Sequence, residues 1–349
     1  MEVSLERYPS VEIVIPHFGR RDMLERCLES LEKTRYPSMR ITVVDNSGKA
    51  AGLVFMVKRF RNAQLLRLDT NRGYAGGCNE ALRLSDADFV VFMNDDTVHD
   101  PLWLEKLVEG ALCHEKAAAF QPKILSMKAA SKGKRVFDYA GAAGGMMDRL
   151  GYPWCLGRVF SSQEEDRGQY DESREIFWAS GAAMLVRRQV AMQLGGFDGD
   201  FFMHMEEIDL CWRMKLAGYE VLSVPGSLVW HEGGASLAAG SAEKIYYNHR
   251  NNIAMILKNR GTPALLWSFP LRIALEAAAA VFYLTQYPQA LKKSHAVLRA
   301  ALHNFRDREA IVRKRRAVQA SRVTGDRKIF QGLPLTCFSK RKPGHVFQL

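Results

Sequence analysis

Short apolar runs alternate with amphipathic stretches along the first 125 residues. The run Phe89–Met93 is entirely apolar, which is typical of a strand that is buried on both faces. The amphipathic stretches repeat their apolar residues every three or four positions, as helices packed on a sheet do. This alternation predicts an α/β fold with a mostly parallel central sheet and helices on both faces. We expect strands at residues 11–15, 41–44, 64–68, 89–93 and 118–123, and helices at 21–32, 76–83 and 101–114.

The rest of the chain divides into a weakly patterned region and a helical end. Loops around short strands are expected from residue 126 to residue 190. We expect a main domain over residues 1–260 and a helical, basic C-terminal extension over residues 261–349. Further elements are predicted at 206–217 (a helix stopped by Gly218), 221–224 and 228–230 (strands), 242–260 and beyond Pro263 (helices).

Polar segments follow the predicted strands at residues 16–19, 45–47, 71–73 and 94–96. Parallel sheets bind their ligands at the carboxyl ends of the strands, so these segments should line one site. Asn94, Asp95 and Asp96 could hold Mg²⁺ or Mn²⁺, which take their remaining ligands from water and substrate phosphates. The alternative is a turn cluster without a ligand, because Asp and Asn also favour turns.

A glycine-rich turn over residues 71–79 leads into a helix, which lets backbone amides approach a phosphate or a ribose. It matches neither the dinucleotide fingerprint nor a P-loop, and a simple tight connection is an equal alternative. Glu206, Glu207 and Asp209 begin a helix, where they could complement its dipole or supply a general base. His231 could complete a metal shell or play a structural role.

Composition and charge exclude several protein classes. The chain is 47% hydrophobic and 25% charged, as globular proteins with a sizeable core are. Residues 286–349 carry 15 Lys and Arg against 3 Asp and Glu, while the first 285 residues carry 34 and 35, so the net charge of +11 belongs to the end of the chain. Six scattered cysteines without a CxxC pair, and the lack of a signal-peptide pattern, favour the cytoplasm.

In their order, the motifs resemble glycosyltransferase family 2, the inverting GT-A enzymes, and most closely its bacterial rhamnosyltransferase-like branch. The resemblance covers about residues 10 to 260. Each motif is weak alone, but seven in the right order and spacing are specific. They are Val14-Ile15-Pro16, Val43 to Ser47, Asn71 to Asn79, Met93 to Thr97, Gly181 to Arg188, Gly196 to Leu210, and Trp230-His231.

The resemblance implies a role for each matching position. Asp45 would bind the nucleobase, Asp96 would be the direct metal ligand with Asn94 nearer the ribose, and His231 would be a further ligand of Mg²⁺ or Mn²⁺. The cation would neutralise the diphosphate leaving group. We expect donor contacts from Pro16, Phe18, Asp45, Asn71, Gly73, Asn79, Asn94 and Asp95, and acceptor contacts from Trp178, Phe202 and His204.

The chain departs from the family at the position of the base. The family's Glu-Asp-x-Asp-Leu reads Glu206-Glu207-Ile208-Asp209-Leu210 here, so Glu207 stands where the base is expected, with Glu206 as the alternative. His204 replaces a common tyrosine, so the acceptor specificity should differ as well. The catalytic candidates are therefore Glu207, Glu206 and Asp209.

The implied reaction is transfer of a sugar from dTDP-rhamnose or a UDP-hexose to a glycan or lipid-linked glycan of the cell surface. The alternatives are a sugar-1-phosphate nucleotidyltransferase, whose glycine-rich loop after the first strand is missing here, and an impaired sugar-nucleotide-binding relative. Residues 264–285 are apolar but interrupted by Pro270, Arg272 and Glu276, which argues against a membrane span. This region and the basic end either bind anionic lipids of the inner leaflet or pack on the main domain. No nucleic-acid partner is expected.

Overall fold

A computed structural model describes residues 8–48, 51–159, 162–233, 238 and 240–330. The strands are β1 Val11–His17, β2 Met39–Asp45, β3 Ala63–Arg67, β4 Phe89–Met93, β5 Thr97–His99, β6 Ala117–Ser126, β7 Gly145–Met147, β8 Pro153–Cys155, β9 Arg158–Val159, β10 Ser162–Gln163, β11 Arg174–Glu175, β12 Ala183–Arg187 and β13 Glu220–His231. The α-helices are α1 Arg21–Leu31, α2 Ala51–Val57, α3 Gly73–Leu84, α4 Trp103–Cys113, α5 Met127–Ala130, α6 Arg188–Gln193, α7 Glu206–Leu216, α8 Ala242–Asn259, α9 Thr262–Tyr283, α10 Ala290–Arg306, α11 Arg308–Ala320 and α12 Asp326–Ile329. A short 3₁₀ helix covers Gly199–Phe201.

The central sheet of the described residues is mostly parallel, as expected. Its strands run in the order β11-β13-β6-β12-β4-β1-β2-β3, with β5 paired to β13. Strand β12 lies antiparallel between β4 and β6. Two reversals in succession make β6 parallel to β4, and β13 is parallel to β6. The carboxyl ends of β1, β2, β4, β6 and β13 therefore meet at one edge.

Both faces of the sheet are covered because successive side chains of a strand point to opposite faces. Ile13 packs in one cluster with Leu28 of α1 and Leu107 of α4. Its neighbour Val14 packs in the other cluster, together with Trp212 of α7. The fully buried β4 explains why its sequence is uniformly apolar rather than alternating.

The structure corrects several element boundaries. Helix α3 begins at Gly73, three residues before the expected start. Helix α4 begins at Trp103 rather than at Pro101. The two expected strands at 221–224 and 228–230 are one strand, β13, with an irregularity between Val224 and Leu228. Strand β5 was not predicted, since three residues carry too little pattern to mark a strand.

The helices after residue 260 are tied to the preceding ones. Arg315 of α11 donates hydrogen bonds of 2.6 Å to the carbonyl oxygens of Leu257 and Arg260, at the carboxyl end of α8. Gln319 donates to the carbonyls of Lys258 and Asn259, both at 3.1 Å. These bonds satisfy carbonyls that the end of a helix leaves unpaired. Residues 331–349 of the basic end, and Gly234 after His231, lie outside the described residues.

One helix of the described residues, α9, is long and apolar enough to cross a membrane by length and composition alone. Only 28% of its apolar window is buried. Its charged residues nevertheless face the protein, because Arg272 and Glu276 are 1% and 5% exposed and pair with each other at 2.6 Å. Leu266 and Trp267 are 73% and 51% exposed. The apolar side of α9 thus faces outward, the reverse of an ordinary surface helix.

We predict that the Arg315 cap stabilises the whole fold. Replacing Arg315 with Ala removes these two hydrogen bonds and a third, of 3.0 Å, to the hydroxyl of Thr262, and should lower the free energy of unfolding by about 1–3 kcal/mol. The neighbouring exposed Arg316 is the matched control, and its Ala variant should stay within about 0.5 kcal/mol of the wild type. Urea denaturation of the three proteins measures the difference. Equal losses for both variants would contradict the capping role.

Candidate functional site

The site lies at the edge where the parallel strands end. His17 at the end of β1 is in register with Asp45 at the end of β2. Asn94 follows β4 directly. Strand β5 pairs antiparallel with β13, with Thr97 opposite His231. The short β5 thus folds the segment after β4 against the end of β13, which places Asp96 beside His231.

Asp96 and His231 form a buried polar contact at this edge. The Oδ1 atom of Asp96 lies 3.1 Å from Nε2 of His231, and both side chains are buried. The Nδ2 group of Asn94 lies 3.2 Å from the same Nε2 atom. On its other side, Asp96 accepts a hydrogen bond of 3.2 Å from the backbone N–H of Gly233. Asn94, Asp96 and His231 are therefore together, as the sequence predicts.

The second ring nitrogen of His231 is bound by a residue that sequence reasoning missed. Asp138 accepts a hydrogen bond of 2.9 Å from Nδ1 of His231. Burial works against the charged imidazolium, but the carboxylates of Asp138 and Asp96 outweigh it and raise the pKa of His231 to about 10. Hydrogen bonding to His231 likewise lowers the pKa of Asp96, against the effect of its burial. The carboxylates of Asp96 and Asp138 thus stabilise a positive charge that lies between them.

These residues fit a divalent cation. His231 can bind a cation only when the cation displaces the proton on Nε2. Asp138 accepts Nδ1–H and so directs the resulting lone pair to Nε2, as in carboxylate–histidine–metal sites. Asp96 Oδ1 is buried and, apart from its contact with His231, accepts no hydrogen bond. In the described part of the chain, no three His, Cys, Asp or Glu side chains converge as a complete metal shell. Two protein ligands suit Mg²⁺ or Mn²⁺, which keep waters and bind substrate phosphates.

The residues near the ends of β1 and β2 that were predicted to contact the sugar-nucleotide donor differ in their exposure. Asp45 is buried, its Oδ1 accepts the backbone N–H and the hydroxyl of Ser47, and its Oδ2 has no hydrogen-bond partner. Phe18 is 65% exposed. Pro16 is partly exposed, and Asn71 is exposed and accepts the N–H of Gly73 at 2.9 Å. The edge therefore contains one carboxylate oxygen without a partner, Oδ2 of Asp45, and one exposed aromatic ring, that of Phe18.

Gly73 has a positive φ of 67°, and a Cβ at this position would collide with the backbone oxygen of Phe202. Glycine is therefore required here by close packing of the α3 amino end against the segment before α7. The glycine-rich turn brings these two parts of the site together.

Two of the predicted donor residues are engaged elsewhere. Both polar atoms of the Asn79 amide are used by the backbone of Phe197, at 2.8 and 2.9 Å. Asp95 lies 2.6 Å from Nδ1 of the buried His17, so it fixes the end of β1. In this structure, Asn79 and Asp95 hold the elements that surround the edge.

The three carboxylates at the start of α7 have different surroundings. Glu206 is buried, and burial together with the neighbouring Glu207 raises its pKa well above its ordinary value. Burial also raises the pKa of the partly exposed Glu207, to about 7. The Oε2 atoms of both are without hydrogen-bond partners. A carboxylate with a pKa near neutrality is matched to proton transfer.

Asp209 is instead buried in an ionic cluster. Its carboxylate lies 2.8 Å from Nζ of Lys258, 2.8 Å from Nε of Arg213 and 2.9 Å from Nδ2 of Asn259. The side chain is fully buried. The spacing that separates Asp209 from Glu207 on the helix thus directs the two carboxylates to different partners.

The start of α7 is joined to this edge through α3. Strand β3 is parallel to β2, and α3 begins at Gly73, shortly after the carboxyl end of β3. The carbonyl of Phe202, five residues before Glu207, accepts the backbone N–H of Ala75 in α3 at 3.3 Å. The segment that leads into α7 therefore packs beside the ends of the parallel strands.

The predicted acceptor residues are placed unequally. Trp178 is buried, and its indole N–H donates to the carbonyl of Met146 at 2.8 Å. Phe202 is partly exposed and stacks on Tyr247, with ring centroids 5.8 Å apart. His204 is also partly exposed, and burial with the charge of Lys244 lowers its pKa to about 4. Phe202 and His204 lie just before Glu206 and Glu207 in the chain, while Trp178 belongs to the hydrophobic core.

Sequence reasoning missed Asp138 and the polar residues of α8. Asp138 sits in a weakly patterned loop, and nothing local relates it to His231, which follows 93 positions later. Lys258 and Asn259 look like exposed residues at the end of an amphipathic helix, but both are buried against Asp209. A signal for them exists only in three dimensions.

Comparison with known proteins identifies the family of this chain. The family model for glycosyl transferase family 2 matches residues 12–195. The N-acetylglucosaminyl-diphospho-decaprenol L-rhamnosyltransferase of Mycobacterium tuberculosis is 27% identical over 82% of this chain and 92% of its own. Rhamnosyltransferase WbbL of Escherichia coli is 28% identical over 62% of this chain and 80% of its own.

A solved structure shares the fold. The crystal structure of GalNAc-T7 with UDP, GalNAc and Mn²⁺ is similar over 83% of this chain, with a TM-score of 0.56 and 13% identity. The match spans 54% of that protein. The fold is therefore GT-A, a mixed α/β architecture with a mostly parallel central sheet and helices around it.

We predict opposite effects on stability for two of the three acidic residues of α7, Glu207 and Asp209. Because the pKa of Glu207 is raised from 4.5 to about 7, its ionisation destabilises the folded protein as pH rises through this range. Glu207→Gln removes that cost, so its melting temperature should exceed that of the wild type by a few degrees at pH 8 and match it near pH 4.5.

Asp209→Asn should instead destabilise the protein at every pH in this range. It leaves Lys258 and Arg213 buried without their full charge partner, a loss of about 3–5 kcal/mol. Thermal unfolding of both variants at pH 4.5 and pH 8 provides the measurement. A stability loss in Glu207→Gln at pH 8, or none in Asp209→Asn, would contradict these assignments.

Proposed function

The chain is a glycosyltransferase of glycosyl transferase family 2, and from that premise we propose that it transfers L-rhamnose or a hexose from a nucleoside diphosphate to a glycan hydroxyl with inversion. The observation that carries this proposal is one edge that holds both a buried Asp96–His231 pair and a carboxylate, Glu207, with a pKa of about 7. Rhamnose as the sugar, and a lipid-linked glycan as the acceptor, are supported by what the names of the relatives say of those proteins.

For the donor, we assign the ends of β1, β2 and β4. The unpartnered Oδ2 of Asp45 and the exposed ring of Phe18 would recognise the nucleobase and ribose. Asp96 and His231 would hold Mg²⁺ or Mn²⁺, oriented by Asp138. A bound cation would neutralise the diphosphate as it leaves. Mn²⁺ in the structural relative supports a divalent cation here.

For the acceptor, we assign the start of α7. Glu207 would accept the proton of the attacking hydroxyl, since its carboxylate oxygen Oε2 has no hydrogen-bond partner and its pKa allows it to be ionised or protonated near neutrality. The buried Glu206 would stay protonated beside it. Asp209 would position α7 through Lys258 rather than touch the substrate.

We further propose that residues 1–260 form the transferase domain and that the extension over residues 261–349 holds the enzyme at the cytoplasmic surface of the membrane. Three exposed apolar residues of α10 lie seven positions apart and so form a stripe along one side of the helix: Leu291, Leu298 and Phe305. Lys292 follows the first of them and Arg306 follows the last. An apolar stripe beside basic side chains suits an anionic bilayer surface, on which a lipid-linked acceptor would lie.

The proposed chemistry predicts metal-dependent donor binding. A nucleotide sugar such as dTDP-rhamnose, with Mn²⁺ or Mg²⁺, should raise the melting temperature by about 2–5 °C, because a ligand that binds only the folded state stabilises it. EDTA or Asp96→Ala should abolish the shift, while the exposed Asp86→Asn control should retain it. If no nucleotide sugar shifts the wild type with either ion, the donor assignment fails.

The extension is predicted to bind vesicles. The full-length protein should co-sediment with vesicles that contain anionic phospholipid, and less so with zwitterionic ones or at high salt. A variant with Leu291, Leu298 and Phe305 changed to Glu should bind at least about 10-fold more weakly. Leu84→Glu changes an equally exposed leucine on α3 and should bind as the wild type does. Unchanged binding of the triple variant would refute the assigned surface.

A further inference from the structure

The turn that leads into α7 has an unusual backbone. Phe202, His204 and Met205 have φ angles of 63°, 67° and 71°, in the left-handed region that side chains other than glycine rarely adopt. All three lie within four residues, directly before Glu206 and Glu207. Such a backbone persists only where the surroundings hold it, and it is concentrated at functional sites.

A single buried amide holds this turn. The Nδ2 group of Asn251, on α8, lies 3.0 Å from the carbonyl oxygen of Phe201 and 2.8 Å from those of Met203 and His204. The side chain is fully buried. The amide has two hydrogens for three carbonyls, so at least one hydrogen is shared. Within the turn, the backbone N–H of Met203 reaches the carbonyl of Phe201 at 2.6 Å, and Asn251 adds donors for all three carbonyls.

The orientation of the amide is fixed from its other side. The Oδ1 atom of Asn251 accepts a hydrogen bond of 2.7 Å from Nε of Arg250. The same guanidinium donates to the carbonyl of Asp200. Because Arg250 is only a donor, the oxygen of the Asn251 amide must face it, and the NH₂ group must face the turn. The two residues thus bind four carbonyls between Asp200 and His204, all except that of Phe202.

The turn connects both halves of the site. Its Phe202 stacks on Tyr247 of α8, and the carbonyl of Phe202 accepts the N–H of Ala75 from α3 at 3.3 Å. Met205 directly follows the turn, and its carbonyl accepts the backbone N–H of Asp209, a hydrogen bond at the start of α7. A shift of the turn would therefore move the start of α7, where Glu207 lies, relative to the sheet edge.

We propose that Asn251 is the positioning residue of the active site. Its carboxamide sets the path of the 201–204 turn and thereby directs Glu207 toward the acceptor hydroxyl, a role that rests on the proposed function of Glu207. The residue lies outside the segments matched by the family motifs at the strand ends. Its effect is exerted through the backbone carbonyls alone.

The test is Asn251→Asp, which keeps the shape of the side chain but directs a carboxylate at three carbonyl oxygens. Asn252→Asp is the matched control, because Asn252 is the next residue, is equally buried, and donates instead to Gly151. We expect Asn251→Asp to lower kcat by about 100-fold, since a displacement of about 1 Å can cost this much. Donor-induced thermal shifts should remain, because the donor residues lie on other elements. Asn252→Asp should keep kcat within about threefold.

Hydrogen exchange provides a readout that does not depend on activity. Amides of residues 203–209 should exchange faster in Asn251→Asp than in the wild type or in Asn252→Asp. If Asn251→Asp does not fold, Asn251→Ser, which retains one donor, replaces it and should show the same pattern with a smaller loss of kcat. Unchanged exchange and kcat, or equal losses in both variants, would overturn the proposal. If Asn251→Asp exchanges faster but the wild-type protein transfers no sugar, the role of Asn251 in holding the turn is supported and the proposed function is refuted.

Discussion

The buried ion pair between Lys258 of α8 and Asp209 of α7, at 2.8 Å, fixes how α7 packs on α8. Neither charge could stay buried without the other, because an isolated ion in the interior is strongly destabilising. Asp209 also binds Arg213, and Lys258 also binds Asp198 at 2.6 Å. The orientation of α7, and with it the position of Glu207, follows from this pairing.

Helix α8 acts on several parts of the site through other buried polar residues. Asn251 holds the turn before α7, Asn252 holds Gly151, and His249 pairs with Glu276 of α9. Each of these groups is buried, and each finds its partner on a different element. Buried polar groups are directional, whereas apolar contacts tolerate small rotations. This helix therefore fixes the geometry of elements that hydrophobic packing alone would leave free to shift.

The sheet edge combines two opposite electrostatic environments. Around His231, two carboxylates outweigh the cost of burial and favour a positive charge. Around Glu207, burial without a charge partner favours the neutral acid. The proposed donor, which carries two phosphates, and the proposed acceptor, which carries a neutral hydroxyl, would require such a division. The antiparallel strand β12 makes it possible, because it keeps β6 and β13 parallel to β4 and brings His231 to the same edge as Asn94.

Local pattern determined much of this protein. The apolar residues of β1 and β4, the helical repeat of α1 and the glycine after α7 each predict an element, because these signals involve only residues close together in the sequence. The order of the motifs identified the family. Periodicity says nothing about direction or distant partners, however. Only the tertiary structure decided that β12 runs antiparallel, that Asp138 binds His231, and that Asn79 holds Phe197. It also decided that the charges of α9 face inward, since burial depends on what packs against a residue and not on the residue alone.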